Sequence, residues 1–553
     1  MLATYHYPEY PYTVCEEQRR GCVIRRPVVV VGAGPVGLTA ALDLAKQGLP
    51  VVLLDEGYTV SLGSRAVCYA KRALEIWDRL ACAQPMLDKG VVWKIGKVFH
   101  HDRMVYQFDL LPEDHHKIPA FINLQQYYLE QYLVDRVRAD ARIEARWHSR
   151  VIAVTPAADH VRVEVETPDG RYLMECDYLI AADGARSAIR RVLGLDFKGQ
   201  VFHDRFLIAD VVMKAAFPAE RWFWFDPPFH PKQSALLHMQ PDNVWRIDFQ
   251  LGWQADPEEE KKPERVIPRL RAMLGEDTEF ELEWVSVYTF QCRKLDRFRH
   301  GRVLFIGDAA HQVSPFGARG ANSGVQDADN LGWKLALVLR GLAPDSLLDS
   351  YDEERLAAAD ENILNSTRST DFITPKTATS RAFRDAALSL AADHPFARRL
   401  VNSGRLSTPA SYLASSLTTP DKNTFTGGVA PGVACVDAPV SVDGVPGWLT
   451  ENVGTTFVGL YFASPAGLPP ADERGVRALA DAPIPVRTLI IHPPGTATDG
   501  VTVDPLGLVA ERYAAQPGTY YLLRPDQHVA GRWPRFEIEA VRDAVARACA
   551  LGR

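Results

Sequence analysis

The run Pro27 to Val31 is entirely apolar, the pattern of a strand buried on both faces. It leads into Gly32-Ala33-Gly34-Pro35-Val36-Gly37. A helical period follows, placing Val36, Ala40 and Leu44 on one face and ending at Gly48. A second apolar run, Val51 to Leu54, ends at Asp55, which completes a β-α-β unit. Further on, residues 121–140 carry a helical stripe through Leu129, Leu133 and Val137. Segments 150–155, 161–167 and 171–180 alternate as a meander, with a Pro168-Asp169-Gly170 turn. Residues 205–290 read as strands rich in aromatic side chains. Arg302 to Ile306 returns to a buried strand, followed by a glycine-rich loop and a helix over 324–340. Near the end, Phe457–Phe462, Val486–Ile491 and Tyr520–Leu523 are short apolar strands between turns.

These elements predict an α/β fold. An irregular arm (1–25) precedes a dinucleotide-binding domain in two parts (26–198 and 296–370) with a β-sheet domain (199–295) inserted between them. Connecting helices and loops (371–429) lead to a separate small α/β domain (430–553). A chain of 553 residues buries sizeable cores without disulfides. Its net charge of −7 gives no general attraction to nucleic acid or anionic membrane. No apolar stretch is long enough to span a bilayer. The eight cysteines are scattered, with no CxxC pair and no zinc spacing, which fits reduced thiols in a cytoplasm.

The glycine motif carries a physical requirement at each position. Gly32 permits the tight turn, Gly34 lets backbone approach a pyrophosphate, and Gly37 lets the helix pack on the sheet. Pro35 suits the first helical turn, and the helix N-terminus faces the phosphates. Asp55 is placed for a ribose hydroxyl. Glu56 is the neighbouring candidate, although its side chain points the opposite way along a strand. The motif indicates an adenine dinucleotide without separating FAD from NAD.

Two more segments separate them. One is Gly301-Arg302-Val303-Leu304-Phe305-Ile306-Gly307-Asp308-Ala309-Ala310-His311, continuing through Pro315, Gly317, Gly320-Ala321-Asn322 and Gly324. The other runs from Asp177 through Ala182-Asp183-Gly184 to Arg190. A carboxylate just beyond a buried strand suits a polyol. A helix starting near Asn322 aims its positive end at a ring bearing negative charge. Together these segments resemble those of the single-component, class A flavoprotein aromatic hydroxylases, the family that includes para-hydroxybenzoate hydroxylase, phenol hydroxylase and 3-(3-hydroxyphenyl)propionate hydroxylase. The resemblance covers roughly residues 27–360. It implies FAD as cofactor, with Asp308 on the ribityl chain, Pro315 near the reactive edge of the flavin, and Gly320, Ala321 and Asn322 at its pyrimidine end. By the same resemblance Asp183 would support the flavin, and Arg190 would partner a pyrophosphate or Asp183. Ser64-Arg65-Ala66-Val67 resembles the family loop whose arginine meets the FAD phosphates, which implies that role for Arg65, and the Q-x-x-L-E helix implies that Gln126 touches the cofactor.

The resemblance further implies a monooxygenase that uses NADH or NADPH and O₂. A flavin C4a-hydroperoxide hydroxylates the electron-rich ring of a small phenolic substrate, hydroxyphenyl carboxylic acids included. On this reading 199–295 is the substrate domain, with Trp222, Phe223, Trp224, Phe225, Trp245, Phe249 and Trp253 as a water-excluding lid or simply a sheet core. His238 and Tyr288 are the candidate catalytic residues. Arg246 and Arg293 are the candidate partners for a substrate carboxylate. His311 reads as structural. Residues 430–553 resemble the thioredoxin-like tail of larger members. With only Cys435 and Cys549 there, the tail reads as structural, supporting a homodimer rather than disulfide chemistry. The open alternatives are epoxidation or halogenation on the same scaffold, or a non-catalytic FAD-binding redox sensor.

Overall fold

The computed structural model describes residues 4–401, 406–422, 425–497 and 501–552. The strand Arg25–Val31, the helix Pro35–Lys46 and the strand Val51–Leu54 form the expected β-α-β unit. Arg25–Val31 pairs in parallel with Val51–Leu54 on one side and with Gly170–Ala181 on the other. Val303–Phe305 adds in parallel to Gly170–Ala181, and Ile143–Arg146 to Val51–Leu54. The ends of Arg25–Val31, Gly170–Ala181 and Val303–Phe305 therefore deliver the Gly32, Asp183 and Asp308 loops to one edge of a single eight-stranded sheet. The close crossing there demands glycine. Gly32 has φ 108°, and a side chain on it would collide with the Ala182 carbonyl. A methyl on Gly37 would collide with the Gly32 carbonyl.

A second eight-stranded sheet is built mainly from residues 198–294, and helices at Pro257–Glu260 and Pro263–Leu274 interrupt this strand-like region. It is wider than the expected insertion. Arg221–Phe225 pairs in parallel with Ile95–His100, which pairs with Arg103–Asp109. Its two faces differ. Leu207, Trp224, Trp245, Ile247 and Phe249 pack with Val266 and Leu270 of the helix Pro263–Leu274. Phe206, Phe223, Phe225, Leu236 and Phe290 face the other way, against Phe316, Ile373 and Leu388. Of the two readings open for these aromatics, lid or sheet core, the core reading holds for Trp224, Trp245 and Phe249 on the back face, and Trp253 is exposed.

The arm is not loose. Tyr5, Tyr10 and Cys15 are buried in the main core, Tyr10 stacks on Trp147 at 4.4 Å, and Glu17 pairs with Arg146 at 2.8 Å. The C-terminal part forms a seven-stranded sheet joined to the first domain by buried polar contacts. Arg524 bonds Glu354 at 2.5 and 3.0 Å, and Arg72 bonds Gln527 at 2.7 Å.

Candidate flavin and substrate site

Around the glycine motif, backbone donors are held open. The Gly34 position has nothing within 4 Å of where a Cβ would stand, so the start of the helix Pro35–Lys46 faces free space. Asp55 fastens this loop by accepting from the Ala33 N–H at 2.5 Å and the Gly57 N–H at 2.7 Å. A carboxylate has further lone pairs for a ribose hydroxyl. Glu56 is exposed and points away, as its strand position requires.

The Asp308 side chain is exposed, yet protein surrounds it closely enough that burial is the main cause raising its carboxyl above the ordinary range. Both hold when a group lines the floor of a cleft. Its carboxylate accepts no hydrogen bond from the described residues, and the charges of Arg65 and Arg190 act against the effect of burial. A methyl on Gly320 would stand 4.0 Å from an Asp308 oxygen, so the start of the helix Gly320–Leu339 adjoins this carboxylate. The first helical backbone bond of that end is Ser323 N–H to Arg319 at 2.8 Å, which leaves the N–H groups of Gly320, Ala321 and Asn322 ahead of it. Asn322 accepts from the Ala70 N–H at 2.8 Å and donates to the Cys68 carbonyl at 2.9 Å. Pro315 is exposed beside buried Phe316. His311 is structural: it pairs with Asp327 at 2.7 Å, and Asp327 also accepts from the Gly307 N–H at 2.9 Å.

Asp183 accepts from the Ile189 N–H at 3.0 Å, while its Oδ1 is buried without a partner. Arg190 lies within the electrostatic influence of Asp183. It donates to the Ala309 carbonyl at 3.0 Å and the Ala185 carbonyl at 2.8 Å, bracing the Asp183 loop against the Asp308 turn. Gln126 is also engaged by protein. It accepts from the Ala66 N–H at 3.1 Å and donates to Ser61 at 3.0 Å and Glu130 at 2.8 Å, clamping the loop that carries exposed Arg65. An unpartnered carboxylate, an orphaned buried oxygen, a free helix end and an open glycine cradle along one edge fit FAD.

The front face of the second sheet meets this cleft. Tyr288 lies within the electrostatic reach of Arg65, Asp308 and Arg246, and burial raises its phenol, so it stays protonated. His238 is buried. Its Nδ1 lies 3.5 Å from Cys68 Sγ, and its Nε2 has no partner. Burial and two arginines hold it well below the usual histidine range, which makes it a neutral imidazole and a weak base. The two arginines expected to receive a substrate carboxylate are already engaged. Arg246 makes a two-pronged pair with Asp210 at 2.8 and 2.7 Å and donates to the Ser64 carbonyl at 2.5 Å, so it holds the Arg65 loop. Arg293 donates to the Phe197 carbonyl at 2.8 Å, on the side of Arg190. One residue that sequence reasoning passed over is Asp248. It shares the face of Arg246, and its Oδ1 is buried without a partner. The signal was the alternation Arg246, Asp248, Gln250 between apolar residues.

The sequence profile of the family described as FAD binding domain matches residues 25–366. The chain is also 31% identical over 527 residues to 6-methylpretetramide 4-monooxygenase of Streptomyces rimosus, covering 92% of this chain and 91% of that protein. The chain belongs to the FAD-dependent monooxygenases. A 3-(3-hydroxy-phenyl)propionate/3-hydroxycinnamic acid hydroxylase of Mycolicibacterium smegmatis is 31% identical over 374 residues, 68% of this chain and 66% of the relative. Among solved structures, the flavin-dependent monooxygenase PieE, in complex with FAD and substrate, superposes with TM-score 0.80 at 23% identity, covering 95% of this chain and 99% of that one. The p-nitrophenol 4-monooxygenase PnpA of Pseudomonas putida superposes with TM-score 0.62 at 26% identity over 70% of this chain and 100% of that one. These likenesses run through both sheets and give the monooxygenase its fold. No described helix is long and apolar enough to cross a membrane.

Proposed function

We propose that this monooxygenase hydroxylates the ring of a phenolic compound, with NADH or NADPH and O₂ as co-substrates, in the space between the Gly320 helix start and the front face of the second sheet. The observation that carries this reading is the composition of that face. Phe206 and Phe290 meet Phe316 at 4.9 and 5.4 Å, and Phe316 directly follows Pro315, so an aromatic wall continues into the flavin loop. The wall ends on a polar row at His238, Arg246 and Asp248. Apolar walls with a few convergent polar groups suit a flat ring bearing a hydroxyl.

FAD, when bound, takes up the reducing equivalents and activates oxygen. The chain's own residues supply the rest. Asp308 accepts hydrogen bonds from a polyol, and the N–H groups of Gly320 and Ala321 stabilise negative charge at a helix end. Arg65 adds positive charge near Asp308 and Tyr288. Phe206, Phe290 and Phe316 exclude water from the ring. Tyr288, held protonated, donates a hydrogen bond rather than acting as a base. Engagement of Arg246 and Arg293 by protein gives a hydroxyphenyl carboxylic acid no advantage over an uncharged phenol.

We read the C-terminal sheet as a thioredoxin-like structural unit. Supporting this, Phe457–Phe462 and Val486–His492 run parallel, Tyr520–Leu523 and Val529–Trp533 form an antiparallel pair, and the helix Ile538–Ala548 follows. Cys435 and Cys549 are free, buried, and pushed up to about 12 by burial, which opposes thiol exchange. A cytoplasmic homodimer completes the reading. The test is a panel of phenols offered to the FAD-loaded enzyme. We expect stimulated NADH or NADPH oxidation with a hydroxylated product, whereas hydrogen peroxide as sole product across the panel would reject the proposal.

A further inference from the structure

The front face of the second sheet carries two carboxylates on adjacent strands, and their surroundings differ. Asp210 is neutralised by Arg246 and also accepts from Gln240 at 3.1 Å. Asp248, opposite Ile208 and Leu236, accepts no hydrogen bond from the described residues. Its Oδ1 is buried, while the side chain as a whole stays partly accessible. Burial first, then the charge of Asp210, raises its carboxyl to about 7 against the pull of Arg246 and Arg221. A carboxylate and an imidazole nitrogen without protein partners, on one face beside the flavin cleft, mark a place for a ligand's polar group.

His238 is in register with Arg246 and diagonal to Asp248, a Cα separation of about 7–8 Å on neighbouring strands. Burial pushes the Cys68 thiol up to about 12, so it stays protonated, 3.5 Å from His238 Nδ1. With the thiol as donor of that contact, the imidazole proton stands on Nε2, which has no partner in the protein. Cys68 is also the residue whose carbonyl Asn322 holds, which fixes this pair one contact from the helix start that faces the flavin. The other charged or titratable neighbours are Arg221, with its guanidinium 5.4 Å above Phe223, and Tyr106, which faces Arg221.

We propose that Asp248 takes the proton from the ring hydroxyl of the substrate, while His238 Nε2–H donates a hydrogen bond to the same oxygen. This inference rests on the substrate being a phenol. The phenol O–H bond breaks, an O–H bond forms on an Asp248 carboxylate oxygen, and the electron pair stays on the phenolate oxygen, enriching the ring. No atom changes oxidation state in this step. Arg221 and Arg246 offset the added charge.

The test compares Asp248→Asn and Asp248→Glu with wild type, all as FAD-loaded enzyme. The phenols run from weakly acidic, such as 3-(3-hydroxyphenyl)propionate, to strongly acidic, such as 4-nitrophenol. Asp248→Asn should lower kcat at neutral pH by about a hundredfold for weakly acidic phenols. The loss should shrink as pH rises and be small for phenols that enter already ionised. Asp248→Glu should restore much of the rate. Equal losses for both kinds of phenol, or no loss, would overturn the proposal. Should Asp248→Asn fail to hold FAD, the wild-type profile decides: turnover of weakly acidic phenols must rise with pH through about 7, and a flat profile contradicts it. If no phenol stimulates the wild type, the phenolic reading itself has failed, independently of Asp248.

Discussion

Asn322 and Ala70 are joined by a 2.8 Å hydrogen bond from the Ala70 N–H to Asn322 Oδ1, and the Asn322 amide also donates to the Cys68 carbonyl at 2.9 Å. This residue thus ties the helix end at the flavin to the strand that contacts His238. Asn322→Ala removes both bonds, together with a third to the Ala318 carbonyl at 2.6 Å, and leaves buried backbone groups unpaired, at about 1–3 kcal/mol each. We expect the variant to keep FAD while more of its NADH or NADPH oxidation ends in hydrogen peroxide. Peroxide yield per cofactor oxidised measures this, and an unchanged yield would show that the tie does not set the register.

The Asp308 carboxylate faces the cleft with no hydrogen bond from the described residues. Asp308→Ala should therefore cost the folded state little and cost FAD affinity heavily. The purified variant should be largely colourless, with a thermal transition close to that of wild-type apoprotein. Full yellow cofactor after purification would refute the assignment.

Much of this is legible in the sequence. The glycine turn, the Asp183 loop and the Asp308 turn each combine a buried strand with a local motif, and local signals survive in sequence. Other features depend on pairing between distant segments. Ile95–His100 joins the second sheet through a parallel contact with Arg221–Phe225, more than a hundred residues away. The engagement of Arg246 follows from Asp210 lying opposite it on the neighbouring strand, which no spacing announces. Asp248 sits in a visible alternation, but the pattern does not say which face is covered. The covering residues, Phe316, Ile373 and Leu388, come from elsewhere in the chain.

Glu354 is fully buried and accepts from Arg524, Lys334 at 2.7 Å, Asn330 at 2.6 Å and Ser415 at 2.6 Å. Despite its burial, Arg524 and then Lys334 hold its carboxyl well below the ordinary glutamate range. For Lys334 itself, burial outweighs the same pairing and holds the ammonium down to about 8, so the stabilisation lies chiefly in the Arg524 contact. A carboxyl depressed in the folded state stabilises above its unfolded pKa, about 4.3, and loses that contribution as pH falls below it. We expect Glu354→Gln to destabilise by about 3–5 kcal/mol at neutral pH and to show a weaker fall in Tm on acidification than wild type. Parallel acid profiles for the two proteins would contradict this role.

The central claim is that one atom of O₂ is inserted into a phenolic ring at the junction of the Gly320 helix start and the front face of the second sheet. The most direct measurement is turnover of a stimulating phenol under isotope-labelled dioxygen, with mass analysis of the product. We predict one labelled oxygen per product ring and one NADH or NADPH consumed per product. Unlabelled product, or cofactor oxidation that yields only labelled hydrogen peroxide, would contradict the account.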